Sequence, residues 1–119
     1  MHRIRVLRRL ALAGMLLAFC VVVFGAYVRL TDAGLGCPDW PGCYGHVTPA
    51  GAVAADAGTA EAPLHAGKAW REMIHRYGAS TLGLLILGIA ALALIWRRHA
   101  DAPVALSLAL VVLVIFQGL

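Results

Sequence analysis

A chain of 119 residues that is 61% hydrophobic and 13% charged, with a mean hydropathy of +0.82, has too little polar surface to cover a soluble domain of this size. Its formal net charge of +4 does not point to nucleic acid, because the basic residues flank apolar blocks and form no stripe with interleaved aromatic rings. The composition belongs in a bilayer, and the apolar blocks near Leu10–Val28, Ala79–Trp96 and Pro103–Leu119 read as membrane helices.

The first helix is expected over about residues 6–28, behind Arg3, Arg5, Arg8 and Arg9. A cleavable signal peptide begins in the same way. This apolar stretch is longer than an h-region, however, and its exit through Phe24, Gly25, Ala26, Tyr27, Val28 and Arg29 lacks a clean small-x-small site, so the helix is read as uncleaved. Gly14 and Gly25 offer points of close approach for a neighbouring helix. Cys20, inside the span, is expected to be a small buried packing residue.

Residues 29–65 lose the apolar runs and fill with glycine, proline, aspartate and alanine, which reads as a loop with an ordered front half. Arginines precede the first span, and Arg97 with Arg98 follow the second, whereas the loop mixes both signs of charge. The positive-inside rule then places the N-terminus in the cytoplasm and this loop outside. Arg29, at the junction of helix and loop, has three readings: it snorkels, pairs with Asp32 or binds an anionic group. Cys37 and Cys43 form a C-x5-C pair in an oxidising compartment, which suits a disulfide; the other reading is a dithiol that exchanges electrons. The spacing is wrong for c-type heme attachment, which needs C-x-x-C-H, and a single pair with no companion pair is a weak signal for zinc.

The second helix is expected over about 66–96 and carries Glu72, His75 and Arg76 into the outer membrane interface. Glu72 and His75 stand at i and i+3, so both project from one side of the helix and are spaced to share one ligand. An imidazole entering a bundle needs a hydrogen bond, an ionic partner or a metal, and it is a common axial ligand of heme iron. Arg76 is placed to meet a heme propionate. The bland alternative is that all three are solvated interfacial residues, since ExxH alone is not specific. His2, His46, His65 and His99 lie in the loop and flanks and read as solvated.

A third helix is expected over about 103–119, opened by Pro103 where proline is tolerated. Its 17 residues rise roughly 25 Å against a hydrocarbon core of about 30 Å, so the chain reads as a piece of a longer protein. The fold class expected is all-α: a polytopic transmembrane bundle of about three helices.

Two segments resemble the heme A synthase (CtaA/Cox15) family. They are the run from Gly25 to Gly45, with its Cys37-Pro38-Asp39-Trp40-Pro41-Gly42-Cys43 core, and Glu72-Met73-Ile74-His75-Arg76; Gln117-Gly118-Leu119 also looks like a family stretch. The resemblance implies the N-terminal portion of a four-helix half, in a protein of two such halves or a shorter dimeric relative, so a homo-oligomer is one expected state. It implies His75 as a heme-iron ligand whose partner histidine lies on a fourth helix, Glu72 as the essential carboxylate, and Cys37 with Cys43 as the outer-loop pair. It also implies oxidation of a heme O methyl group to a formyl group in the bacterial inner membrane, for terminal oxidase assembly. Heme b in a C-terminal half, membrane lipid and a heme O synthase complete the expected cofactors and partners, and no nucleic acid is expected. The incomplete bundle is expected to be inactive alone. The competing expectations are a non-catalytic heme-binding electron-transfer subunit and a small structural membrane protein with a disulfide-closed loop.

Overall fold

The computed structural model describes residues 2–34, 36–56, 66–98 and 102–118. Among these residues there are four α-helices and no β-strand: α1 (His2–Leu30), α2 (Pro49–Asp56), α3 (Ala66–Trp96) and α4 (Val104–Gly118). α1 and α3, of 29 and 31 residues, are long and apolar enough to cross a membrane. Only 11% of the most apolar stretch of each is buried within the chain, so the apolar side chains face outward, as lipid or further helices require and a soluble core does not. The protein is an all-α membrane helical bundle. α4, with 15 residues, is shorter than α1 and α3.

α1 begins earlier than its apolar block, at His2, because arginine and leucine are good helix formers and nothing from Arg3 to Leu10 breaks the helix. Its end is a Schellman motif. Asp32 takes the left-handed conformation (φ 53°), the Ala33 N–H donates to Val28 O at 3.0 Å, and the Asp32 N–H donates to Arg29 O at 3.2 Å. Val28 and Ala33 are both buried, supplying the apolar contact that accompanies this motif. α2 lies within the stretch expected to be a loop. Pro49, with its φ already suited to a first helical residue, followed by alanines, gives a short helix there.

The chain divides into two compact units. One comprises Met1–Cys20 with Ala79–Leu119. There, a Cβ built on Gly14 would lie 3.5 Å from Leu85 Cδ2, an ordinary van der Waals contact. The Arg3 guanidinium stands 5.8 Å from the Trp96 ring, within cation–π range. Ser107 donates back to Pro103 O at 2.9 Å, which satisfies its hydroxyl in an apolar helix. An apolar cleft of about 470 Å³ lies among Leu7, Gly14, Leu82, Ile86, Ser107 and Leu110. Cys20 is exposed, contrary to the expectation of a buried packing residue, because its position on α1 is not covered by the other helices of the chain.

The other unit comprises Val21–Gly78, and its core is Cys37, Cys43, Ala69 and Met73. The loop folds back onto α3 so closely that a Cβ on Gly36 would fall 2.8 Å from the Lys68 carbonyl carbon and 2.9 Å from the Ala69 nitrogen. Only glycine fits against that backbone. This unit holds every residue the sequence singled out for chemistry.

Candidate functional site

Cys37 and Cys43 are joined by a disulfide, and both are buried. The bridged segment closes on itself by hydrogen bonds that its sequence makes available. Tyr44 (φ 52°) and Gly45 (φ 75°) form a tight turn with the Cys43 N–H donating to His46 O at 2.8 Å and the His46 N–H donating to Cys43 O at 3.1 Å. The Asp39 carboxylate accepts the Tyr44 N–H at 2.5 Å and the Gly45 N–H at 2.9 Å. The Gly45 N–H holds the Asp39 carboxyl below the usual aspartate value. The Tyr44 N–H, its own amide and the positive Arg76 add to this, against an opposing effect of desolvation.

A group with a depressed folded-state pKa stabilises the fold above its unfolded value and loses that contribution as pH falls through the folded one. The 39–45 turn is therefore expected to loosen only below about pH 4. Hydrogen exchange at the Tyr44 and Gly45 amides, followed between neutral and acidic pH, checks this. Asp39→Asn should speed the exchange of both amides at neutral pH and flatten its acid dependence.

Glu72 and Arg76 stand one turn apart on α3 and clasp this loop. Glu72 is buried; its Oε2 accepts the Cys37 N–H at 2.9 Å and its Oε1 pairs with the Arg76 guanidinium. Arg76 also donates to Asp39 O at 2.6 Å, Gly42 O at 2.8 Å and Cys37 O at 3.4 Å. A rigid fork of donors thus binds three carbonyls of the bridged segment. Met73, fully buried, packs beneath the disulfide in the same core cluster.

His75 has a different neighbourhood. Its ring packs against α1 at Gly25, where an added Cβ would fall 2.6 Å from Cε1 and 3.2 Å from each ring nitrogen. Nδ1 is buried and has no hydrogen-bond partner. An unsatisfied buried polar group costs about 1–3 kcal/mol, which sets this ring apart from an ordinary packed histidine, and Nε2 is the nitrogen left for a ligand. Among the described residues no group of three or more His, Cys, Asp or Glu could hold a bare metal ion. One imidazole is nonetheless what a porphyrin-held iron takes from one side, so the donor set fits heme.

The structure brings Cys37, Cys43, Glu72 and Arg76 into one cluster and sets His75 against Gly25. His46 is exposed, as its loop position suggested. His65 and His99 lie outside the described residues. Sequence reasoning passed over Asp39, whose place five and six residues before Tyr44 and Gly45 was the available signal. It also passed over Arg71, whose Nε donates to Gly67 O at 2.9 Å.

The sequence model of a family described as cytochrome oxidase assembly protein, COX15-CtaA, matches residues 8–119. A heme A synthase of Shewanella oneidensis is 51% identical over 102 residues, covering 82% of this chain and 30% of the relative. A heme A synthase of Alkalihalophilus pseudofirmus is 33% identical over 100 residues, covering 83% of this chain and 29% of the relative. The chain thus spans about 30% of the length of these curated relatives. No solved structure matches it.

Proposed function

The chain belongs to the COX15-CtaA family of cytochrome oxidase assembly proteins, and on that premise we propose that the full-length protein makes heme A by oxidising a methyl group of heme O to a formyl group, a four-electron change that draws an oxygen atom from water or dioxygen and passes its electrons to an external acceptor. The observation that carries the reading is the His75 imidazole, with a buried unpaired nitrogen, packed on Gly25 three residues along the helix from a buried carboxylate. We assign His75 as the ligand of the heme iron. Heme O at this site is the substrate and brings the methyl group that is oxidised.

The chain's own residues then divide the work. Gly25, lacking a side chain, makes the room in which the imidazole sits against α1. Glu72 is assigned the catalytic carboxylate. Its two expected roles are accepting a proton and stabilising positive charge developing at the porphyrin edge; in either, the carboxylate acts while the Cys37 N–H and Arg76 engage its two oxygens. For Arg76 the partners favour a positioning role, holding the bridged segment through three carbonyls while neutralising Glu72. Cys37 and Cys43 fit a staple that keeps the segment shut, and a redox exchange of the same pair is the sharper alternative.

The arginines before α1 and after α3 support a cytoplasmic N-terminus and an external loop in a bacterial inner membrane. A heme O synthase as supplier and a homo-oligomer as assembly belong to the same proposal. The test is pigment extraction after expression of the full-length protein in cells that make heme O. Accumulation of heme A is expected; heme-loaded protein with no heme A would leave a non-catalytic heme-binding electron-transfer subunit in its place.

A further inference from the structure

We propose that Arg71, with Arg29 as its companion, binds the propionate carboxylates of the porphyrin held by His75; this rests on the heme reading above. The argument starts from how the charges of this unit pair. Its described cations are Arg29, Lys68, Arg71 and Arg76. Arg76 is committed to Glu72 and three loop carbonyls, and Lys68 lies 3.3 Å from Asp32. The Asp39 carboxylate is taken up by the Tyr44 and Gly45 amides. Among the described residues, two guanidinium groups are thereby left without an anion: Arg29 and Arg71. Asp32, the partner the sequence offered to Arg29, is bound by Lys68 instead.

Both arginines stand where propionates of a His75-bound porphyrin would need them. Arg71 is four residues before His75 on α3, and Arg29 is four residues after Gly25 on α1. Each is one turn from the Gly25–His75 contact, on the same side of its helix and toward the loop. Arg71 is also held in position. Its Nε donates to Gly67 O at 2.9 Å and its guanidinium stands 5.9 Å from the Tyr27 ring, which leaves the terminal Nη groups with no partner among the described residues. A fixed planar fork with free terminal donors is the arrangement that takes a carboxylate bidentately. Arg29 is exposed and supplies a second positive charge, so two guanidinium groups meet a ligand that carries two carboxylates.

The probes are heme and heme dimethyl ester, which differ only in the propionate charges, titrated into the detergent-solubilised full-length apoprotein. Binding is read as the part of the Soret absorbance change that His75→Ala removes. Arg71→Gln should weaken heme binding about tenfold, the equivalent of 1.4 kcal/mol, and leave ester binding unchanged. Arg71→Lys should recover part of the loss, and Arg29→Gln should act in the same direction. The proposal is overturned if Arg71→Gln leaves both affinities as they were, or lowers both equally, which would mark a packing role. A wild-type titration with no His75-dependent component would instead remove the heme reading itself, and the two failures are thereby distinct.

Discussion

Replacing His75 by alanine in the full-length protein is expected to remove the heme absorbance contributed by this part of the chain and to abolish heme A output, while the bridged loop keeps its fold. The separation follows from the contacts. His75 touches Gly25 and makes no hydrogen bond through its buried Nδ1, whereas the loop is held by Glu72, Arg76 and Asp39. Removing an imidazole whose buried nitrogen is unpaired discards no hydrogen bond, so the thermal midpoint should move little. Gly25→Ala approaches the same outcome from the opposing helix. The new methyl group meets Cε1 at 2.6 Å and must turn the ring aside, so the spectrum should shift although every donor is still present. Absorption spectra of both variants beside wild type decide the matter; a wild-type spectrum from His75→Ala would remove this residue from the site.

Glu72→Ala is expected to have the second large effect, and in two separable parts. The first is structural. It withdraws the acceptor of the Cys37 N–H and the anion beside the Arg76 guanidinium, both in a mostly buried setting. Breaking a buried pair from one side costs about 3–5 kcal/mol; because Arg76 is 21% exposed and keeps three carbonyl partners, the lower end applies, about 3 kcal/mol. A lowered unfolding midpoint and faster proteolysis of residues 37–46 would report it. The second part is chemical, and Glu72→Gln isolates it. Glutamine keeps an acceptor for the Cys37 N–H but sets an NH2 beside Arg76 in place of the anion, so the loop should hold better than in Glu72→Ala, while conversion of heme O fails and heme stays bound. Undiminished heme A from Glu72→Gln would confine Glu72 to holding the loop.

The sequence by itself determined the class of protein and most of its elements, because bilayer insertion depends on local quantities. An apolar run long enough to span and arginines at its flanks fix a membrane helix whatever packs beside it, which is why α1 and α3 are legible in the sequence. The C-x5-C pair and the ExxHR segment were legible as well, and Gly25 was readable as a point of close approach though not as the floor beneath an imidazole. The short helix α2 was hidden inside a composition that also suits a loop.

What only the tertiary structure decided is which partner each polar residue takes. Glu72, His75 and Arg76 occupy one short stretch of α3, yet Glu72 and Arg76 turn to the disulfide loop while His75 turns to α1. Helical spacing places residues on a side of the helix, but the direction of hydrogen bonds depends on donors and acceptors more than thirty residues away in the chain. Arg76 looked free for an anion because nothing local reveals that the carbonyls of Cys37, Asp39 and Gly42 converge on it. Arg71 looked unremarked because its distinction, terminal donors left unpaired, exists only once the loop has claimed the neighbouring charges.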